Sequence, residues 1–470
     1  MSPPLEPQSQ LGDPLVRDWR VESSAFLKVA SRSALARWKL YTSGSRALLA
    51  LGIILLAGWA VWIGCSFAQK PLPRAVPVQK DYFRDRITYI LEEPFLGLDF
   101  HHNFGAVHAW RHGVDPYTHL SGDPANQTYV YPPLTLVAFA WTDLFPTGQQ
   151  MVMTGMNGIT TAFATSVPAI ALWTCLIVLI IGCAAHRSWR TRVALHLPVI
   201  PLPFIFAVLL CSYPVCFEVE RGNCNVLPLL AIVVICAVLR QPRPQVSDVI
   251  IGFCVAFAIG IKPYCVVLLP GLLVLWRIRA VGYALLWLLL QAVVLSPDMT
   301  RWFAVAAVEN QTSTGLYLDW SHSIISHWAL IWRDLHVPTV ANLPAQGTVL
   351  LGLVVVCAVV SWPVMWMRNS DALAWPYLLW LTAVGTMLLP LAYDYNLFFA
   401  LFAVASTWRR SDPWPVHVCA ALTLPWWQPF YLGISNLPWL LLKTISIVLI
   451  GVLIMVRARP ASAEARARIS

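Results

Sequence analysis

An aspartate and two nearby histidines begin a polar segment between residues 98 and 133, and two tyrosines lie at its end. The segment begins Leu98-Asp99-Phe100-His101-His102-Asn103 and ends Tyr129-Val130-Tyr131-Pro132-Pro133. At the head of a helix, Asp99 has two interpretations. It accepts backbone N–H bonds as a capping carboxylate, or it acts as a general base that takes a proton from an acceptor hydroxyl. The residue types alone leave both open.

The same segment carries apolar residues at helical spacing. This pattern predicts an amphipathic helix in the membrane interface, with its polar side towards water. Gly113 suits the end of such a helix. Asp115-Pro116-Tyr117 suits a turn just beyond it, so Asp115 is interpreted as a turn former rather than a catalyst. The apolar residues are Phe100, Phe104, Val107, Ala109 and Trp110.

Two cations further along the chain are candidates for binding phosphate. Lys262-Pro263 interrupts the apolar stretch 249–276, which predicts a tight hairpin with Lys262 at its outer tip. A lysine in such a stretch costs several kcal/mol unless it is paired, and its best partner in lipid is a carboxylate or a lipid phosphate. Arg221 lies in the polar segment from Glu218 to Asn225. It is either a solvated loop charge or a residue whose planar guanidinium group binds phosphate.

Two more polar clusters follow. The first begins at Glu309-Asn310-Gln311 and continues to His322, and we favour a polar external loop with an interfacial helix there. The second is Tyr393-Asp394-Tyr395-Asn396, at the outer end of an apolar run. Binding of a polar ligand and solvation of a turn are equally compatible with Asp394.

The composition is that of a membrane protein. Hydrophobic residues make up 58% and charged residues 12% of the 470 residues, against about 25% charged in an average soluble domain. The 23 tryptophans suit both membrane interfaces. The net charge of +9 is spread over short loops, so nucleic acid is not an expected partner. The eleven cysteines show no CxxC spacing, so neither a zinc site nor a disulfide framework is expected.

The elements that position these residues are predicted to be helical throughout. Basic residues near span ends stay in the cytoplasm, so the leader 1–46 and the tail 457–470 are predicted to be cytoplasmic. The loops 66–132 and 297–346 lack a basic excess and are predicted to be external. In 133–185 either a third crossing lies within Gln150–Thr161 or one run only dips into the membrane. The transmembrane domain, 47–456, has about 11 to 13 candidate spans: about 47–65, 133–146, 163–185, 195–214, 225–239, 249–261, 263–276, 280–296, 347–367, 374–391, 396–408, 415–432 and 437–456.

Motifs of soluble nucleotide-dependent enzymes are missing. The sequence has no Walker loop, GxSxG elbow, HExxH or Rossmann fingerprint. A donor that is already embedded in the membrane and activated by a phosphate at the interface therefore fits better, and no cofactor is predicted.

Residues 95 to 400 resemble glycosyltransferase family 87, the polyprenol-phosphate-mannose-dependent alpha-1,2-mannosyltransferase group with a GT-C fold. The chain departs from the family pattern in reading Gly222-Asn223-Cys224-Asn225 where Gly-Gln-x-Asn is expected, and in the His101-His102 pair after Asp99. The motifs that carry the resemblance are Asp99, Ala109 to Tyr117, Tyr129 to Pro133, Gly222 to Asn225, Ile261 to Pro263 and Asn310-Gln311.

The resemblance implies that Asp99 deprotonates an acceptor hydroxyl, which attacks the anomeric carbon of a lipid-phosphate sugar with inversion. Lys262 then offsets the charge on the departing phosphate, without a metal. The acceptor would be a glycan or glycolipid at the external face of the cell membrane, where membrane lipids surround the protein. Further expected contacts with phosphate or substrate are Arg221, His101, His102, Tyr131, Asn225, Asn310, His322 and Asp394.

Two other functions compete with a lipid-dependent hexosyltransferase. A transporter or flippase of a lipid-linked or polar solute would show repeat symmetry and polar residues near the bilayer midplane. Here the polar residues gather in external loops. A polymerase or ligase of the O-antigen type would be expected to carry more external arginines.

Overall fold

The structure is a computed structural model of the full chain. It describes residues 43–68, 98–117, 129–145, 149–154, 160–239, 241, 243–312, 354, 357–362, 364, 371–387, 397–422 and 437–458.

Nearly all regular structure in the described residues is helical, as predicted. The exception is an antiparallel two-stranded hairpin that pairs Gln149 with Thr165 and Thr154 with Thr160. Short 3₁₀ helices cover Ala140–Leu144 and Pro263–Val267. The other elements are α1 (Ser43–Ala68), α2 (Leu98–Arg111), α3 (Pro133–Phe139), β1 (Gln149–Thr154), β2 (Thr160–Thr165), α4 (Val167–Ala194), α5 (Leu202–Leu210), α6 (Tyr213–Arg221), α7 (Val226–Val238), α8 (Pro244–Ile261), α9 (Leu268–Val274), α10 (Ile278–Val294), α11 (Ser296–Thr312), α12 (Asp371–Thr386), α13 (Phe398–Thr407), α14 (Trp414–Leu422) and α15 (Leu437–Ala458).

The core is centred on α12, which packs against α4, α7, α13 and α15. Its side chains from Ala372 to Thr386 are all buried. Tryptophans on a fully buried helix need hydrogen-bond partners for their indole N–H groups. Trp375 donates to the Ser188 hydroxyl at 3.0 Å, and Trp380 donates to the carbonyl oxygen of Ile447 at 2.7 Å. These bonds tie α12 to α4 and α15.

Several apolar helices have the character of membrane spans. Within the described residues, Pro168–Ala194 and Pro244–Ile261 are long and apolar enough to cross a bilayer. A third candidate is the pair Ile278–Val294 and Ser296–Val305, which is bent by 91°. The bend turns α11 away from the axis of α10 at the start of the second predicted external loop, and the interfacial helix expected there stays a prediction. The number of 11 to 13 crossings stays a prediction.

Two predicted spans are not continuous helices. The run 133–146 forms the short α3 and one 3₁₀ helix, which together extend roughly 20 Å, too little for a hydrocarbon core of about 30 Å. The hairpin follows where a hidden crossing was considered. The predicted span 195–214 is divided into α5 and α6, because Ser212-Tyr213-Pro214 starts a new helix. Apolarity predicted both runs correctly, but it carries no information on these breaks.

Side-chain hydrogen bonds to backbone carbonyl oxygens fix both ends of α4. Near its start, the indole of Trp173 donates to the carbonyl oxygen of Gly222 at 2.9 Å. Near its end, the Arg192 guanidinium donates to the carbonyl oxygens of Ala405 and Trp408 at 3.2 and 2.7 Å. Nineteen helical residues separate Trp173 from Arg192, which corresponds to about 28 Å along the axis. The predicted cytoplasmic arginines therefore lie at the end of α4 far from Gly222.

The contact between α8 and α10 depends on a residue without a side chain. A Cβ atom at Gly252 would lie 2.6 Å from Cβ of Tyr283 and 2.8 Å from the carbonyl oxygen of Ala280. We expect Gly252→Ala to destabilise the protein by about 1–3 kcal/mol, because two backbones must separate. Gly282→Ala, on the facing helix with no atom within 4 Å, is the matched control. Thermal midpoints in detergent test this, and equal midpoints for the two variants would contradict it.

Candidate active site

The helix α2 presents Asp99 in its first turn and ends as the sequence predicts. Gly113 adopts φ 74°, and the amides of Gly113 and Val114 bond the carbonyls of Trp110 and Ala109. This pattern is a Schellman motif. Asp115 accepts a hydrogen bond from the Tyr117 amide at 2.9 Å, which confirms its interpretation as a turn former.

The predicted water-facing side of α2 is largely buried. His101 and Asn103 are 2% and 0% exposed, alongside the apolar Phe100 and Phe104. The helix packs against α3, α6 and the 3₁₀ helix Ala140–Leu144, so most of its circumference is covered. The amphipathic pattern is real, but its polar side faces other polar groups of the protein. Only Gly105, His108 and Arg111 are exposed within the part of α2 whose side chains are described.

Asp99 is joined to the second polar cluster. The Nδ2 group of Asn223 donates to Oδ2 of Asp99 at 2.9 Å. Asn223 reaches this position because Gly222, at φ 64°, reverses the chain after α6 in a left-handed conformation that favours glycine. The backbone carbonyl of Asp99 in turn accepts from Asn103 at 2.8 Å, and Asn103 accepts from the buried Tyr129 hydroxyl at 3.0 Å. Asn223 therefore binds the carboxylate of Asp99, and Asn103 binds its backbone carbonyl.

A buried carboxyl, Glu218, lies behind this pair. It accepts a hydrogen bond from Asn225, which itself accepts from the Tyr264 hydroxyl at 2.9 Å. Burial raises the pKa of Glu218 to about 8, and the charge of Asp99 adds to the rise, while the Asn225 bond and the Lys262 charge oppose it. Glu218 is therefore protonated at neutral pH. Among the described residues, its Oε2 and the Oδ1 of Asn223 are buried without a hydrogen-bond partner.

Lys262 stands at the edge of the same cluster. α8 ends at Ile261, and Lys262 adopts an extended conformation, φ −138° and ψ 104°, which confirms the predicted break. Its ammonium lies 4.5 Å from the centroid of the Tyr131 ring, a cation–π contact. The ammonium also forms a hydrogen bond with the thiol of the buried Cys224. Among the described residues, its contacts include an aromatic ring and a thiol, and the carboxylate or lipid phosphate expected as its partner stays a prediction.

A comparison with known families identifies the family of the chain. A profile described as glycosyltransferase family 87 matches residues 129–392, more than half of the chain. The chain belongs to glycosyltransferase family 87. Searches of the curated proteins and of the solved structures gave no match. Family membership makes the protein a membrane glycosyltransferase and confirms the resemblance to family 87 seen in the sequence. The match includes Tyr131, Asn225 and Lys262, while Asp99 lies before it.

The structure brings together only some of the predicted family 87 site residues. Asp99, Tyr131, Asn225 and Lys262 share one cluster. The ring of His102 lies against Tyr129 and Tyr131, with ring centroids 5.2 and 6.2 Å apart. His101 is buried beside Phe100, and burial lowers its pKa to about 3.

The remaining predicted site residues are not tested. Arg221 and Asn310 lie on the backbones of α6 and α11, but their side chains are outside the described part of the chain. His322 and Asp394 lie outside the described residues altogether.

Sequence reasoning missed the roles of four residues in this cluster. The sequence predicts no functional role for Glu218 or Asn223, and none for Asn103 or Tyr264. The density of polar residues between Glu218 and Asn225 was a usable signal. For Tyr264, which lies 39 residues from its partner Asn225, the only signal was its position two residues after Lys262.

The protonated state of Glu218 predicts a specific pH dependence. Its pKa in the folded protein lies above the usual value of 4.5. Protonated Glu218 therefore stabilises the folded protein fully below about pH 4.5. This stabilisation decreases as pH rises, by up to about 1.4 kcal/mol per pH unit, and is lost above about pH 8. Glu218→Gln cannot ionise, so its thermal midpoint relative to wild type should rise between pH 5 and 8 and then level off. Glu218→Ala, which leaves Asn225 without its acceptor, should be less stable than Glu218→Gln throughout. A constant difference between wild type and Glu218→Gln would show that Glu218 does not titrate in this range.

Proposed function

We propose that this family 87 protein transfers a hexose, mannose in the first instance, from a polyprenyl-phosphate sugar to a glycan or glycolipid acceptor. The acceptor is bound at the external face of the cell membrane. Asp99 is the general base, and Lys262 binds the donor phosphate. The single observation that carries this proposal is the hydrogen bond from Asn223 to Asp99, because it joins the carboxylate of the first loop to the cluster that contains Lys262.

The reaction requires one base and one group that stabilises the leaving phosphate. The acceptor hydroxyl oxygen attacks the anomeric carbon while its proton passes to the Asp99 carboxylate. The bond between the anomeric carbon and the phosphate oxygen breaks, and its electron pair leaves with the phosphate. Attack from the face opposite the phosphate inverts the configuration, so a beta-linked donor gives an alpha product. No nucleotide or metal takes part in this scheme.

Lys262 suits the departing phosphate because it places a positively charged ammonium at the edge of the cluster. Its side chain is half-buried, and its ammonium lies over the ring of Tyr131. A cation–π contact orients the ammonium without neutralising it. The full positive charge therefore remains available to a phosphate whose negative charge grows in the transition state, which is where electrostatic stabilisation accelerates a reaction.

Sugar hydroxyls have complementary partners in the same cluster. The protonated Glu218 offers a donor at Oε2, and Asn223 offers an acceptor at Oδ1; both atoms are buried without partners among the described residues. A donor and an acceptor held by the protein suit a hydroxyl, which does both. His102 and Tyr131 add aromatic faces beside them. Arg221, Asn310, His322 and Asp394 remain proposed contacts to phosphate or sugar.

Support for the external orientation comes from α4. The cluster contacts α4 through Trp173, and the predicted cytoplasmic arginines contact it through Arg192, about 28 Å further along the axis. That separation is close to the thickness of a bilayer core, about 30 Å. If the arginines are cytoplasmic, as both termini are proposed to be, the cluster lies near the opposite surface. No observation favours the transporter alternative.

The role of Asp99 is tested by Asp99→Asn. An amide can still accept the hydrogen bond from Asn223, so this variant removes the base and keeps the contact. We expect kcat to fall by about 10²–10⁴-fold, the usual contribution of general base catalysis. Transfer from polyprenyl-phosphate mannose to an alpha-mannoside acceptor is measured with purified protein, with and without excess EDTA. Asp115→Asn, in the same loop, is the matched control and should retain transfer.

The outcomes of this assay separate the parts of the proposal. Full activity of Asp99→Asn beside an active wild type would exclude Asp99 as the base. Loss of wild-type transfer in EDTA would exclude the metal-independent scheme. If wild type uses another polyprenyl-phosphate sugar but not the mannose donor, the reaction class stands and the proposed sugar is wrong.

The role of Lys262 predicts a dependence on charge. Lys262→Gln should lower kcat by about 10²–10³-fold, with a smaller change in KM, because its charge acts mainly in the transition state. Lys262→Arg keeps the charge and the contact with the Tyr131 ring, so it should retain more activity than Lys262→Gln. Equal losses in the two variants, at unchanged thermal midpoints, would contradict a role for the charge. Steady-state kinetics with varied donor concentration provide the measurement.

A further inference from the structure

Two histidines and an aspartate meet at the end of α2 remote from Asp99. His108 lies in the last turn of α2, and His112 follows one turn later. Asp143 reaches them from the 3₁₀ helix Ala140–Leu144. One potential ligand atom from each of the three side chains lies within 4.8 Å of the others. The proposed transfer reaction makes no use of this group.

The distance between His108 and Asp143 suits a shared cation better than a direct hydrogen bond. Nδ1 of His108 lies 3.4 Å from Oδ1 of Asp143, whereas N–H···O bonds cluster near 2.9–3.0 Å. Two ligands of a tetrahedral Zn²⁺, each about 2.0–2.1 Å from the metal, lie roughly 3.3–3.4 Å apart. The observed separation therefore equals one edge of a zinc coordination tetrahedron.

The surroundings of the three side chains also suit coordination. Nδ1 of His112 lies 2.8 Å from the carbonyl oxygen of His108, which can only accept, so Nδ1 carries the proton and Nε2 keeps its lone pair. Such a bond from the second nitrogen is usual for metal-binding histidines. Arg111 approaches the other carboxylate oxygen of Asp143, Oδ2, at 3.4 Å. Oδ2 of Asp143 therefore has Arg111 as its partner, and Oδ1 remains available to the metal.

We propose that His108, His112 and Asp143 bind a zinc ion at the surface of the protein, with water completing the coordination. Two imidazoles and one carboxylate form a ligand set that suits Zn²⁺ and is poor for Mg²⁺ or Ca²⁺, which prefer oxygen. The histidine rings are already close, with centroids 4.2 Å apart. His108 and Asp143 are 52% and 23% exposed, so the side chains can close by rotation and an ion can enter from solvent.

The ion would be structural rather than catalytic. His108 follows Asp99 by nine helical residues, or about 13 Å along the axis of α2. A ligand set shared between α2 and the 3₁₀ helix after α3 would fasten the helix that carries Asp99 to its neighbour. Zinc should therefore stabilise the protein, while the chemistry at Asp99 does not require it.

The test uses tag-free, full-length protein in detergent, stripped of metal and titrated with Zn²⁺ against a chromogenic chelator. We expect one zinc ion per chain and a higher thermal midpoint on binding. His108→Ala and His112→Ala should each weaken binding by at least about tenfold, and the double variant should lose both the binding and the rise in thermal midpoint. His186→Ala, an exposed histidine on α4, is the matched control and should bind as wild type does.

Three results would overturn the proposal: no stoichiometric zinc in the wild type, unchanged binding in the double variant, or an equal loss in His186→Ala. Asp99→Asn, which should lose transfer, is expected to bind zinc with wild-type affinity. Failure of the zinc site is thus distinguishable from failure of the proposed reaction.

Discussion

The hydrogen bond between Asn223 and Asp99 connects two parts of the chain that are 124 residues apart. It depends on Gly222, whose left-handed conformation turns Asn223 towards α2, and on Trp173, which holds the Gly222 carbonyl. Polar groups buried among apolar helices are costly unless they pair with one another. The pairs Asp99 with Asn223 and Glu218 with Asn225 meet part of that requirement, although Oε2 of Glu218 and Oδ1 of Asn223 have no hydrogen-bond partner among the described residues. The two pairs determine how α2, α6 and α7 meet.

Charge is distributed unevenly within this cluster, and the distribution follows from burial. Burial raises the pKa of Glu218 and so keeps it protonated, and the charge of Asp99 adds to this effect. Lys262, at the edge, stays half-exposed and contacts the face of Tyr131. The proposed base and the proposed phosphate-binding ammonium thus lie in one cluster but on separate elements, α2 and the break after α8. Proton acceptance and stabilisation of a leaving phosphate can then proceed at separate atoms.

Features that depend on neighbouring residues were predictable from the sequence. The helix around Phe100 and Phe104, its end at Gly113, the turn at Asp115 and the break at Lys262 all follow from local chemistry. The polar side of α2 was assigned to water wrongly, because the groups that cover it come from segments distant in sequence. Hydropathy likewise identified the apolar runs, but not the division of 195–214 into two short helices. The partners of Asp99 and Asn225 are fixed by tertiary packing, which a single sequence does not encode in any local pattern.

The contacts at the two ends of α4 constrain the depth of the proposed reaction. At one end, Arg192 is bound to the carbonyls that terminate α13, in a region where Arg409 and Arg457 add positive charge. Such a group is most stable among the anionic headgroups of the cytoplasmic leaflet. In the proposed orientation, the helix of about 28 Å between Arg192 and Trp173 places the Gly222 turn close to the other surface. A lysine in that position needs water or phosphate near it, and a lipid monophosphate can meet Lys262 there while its polyprenyl chain stays in the hydrocarbon. In the proposed orientation, the position of the cluster along α4 thus favours a donor that is itself a membrane lipid.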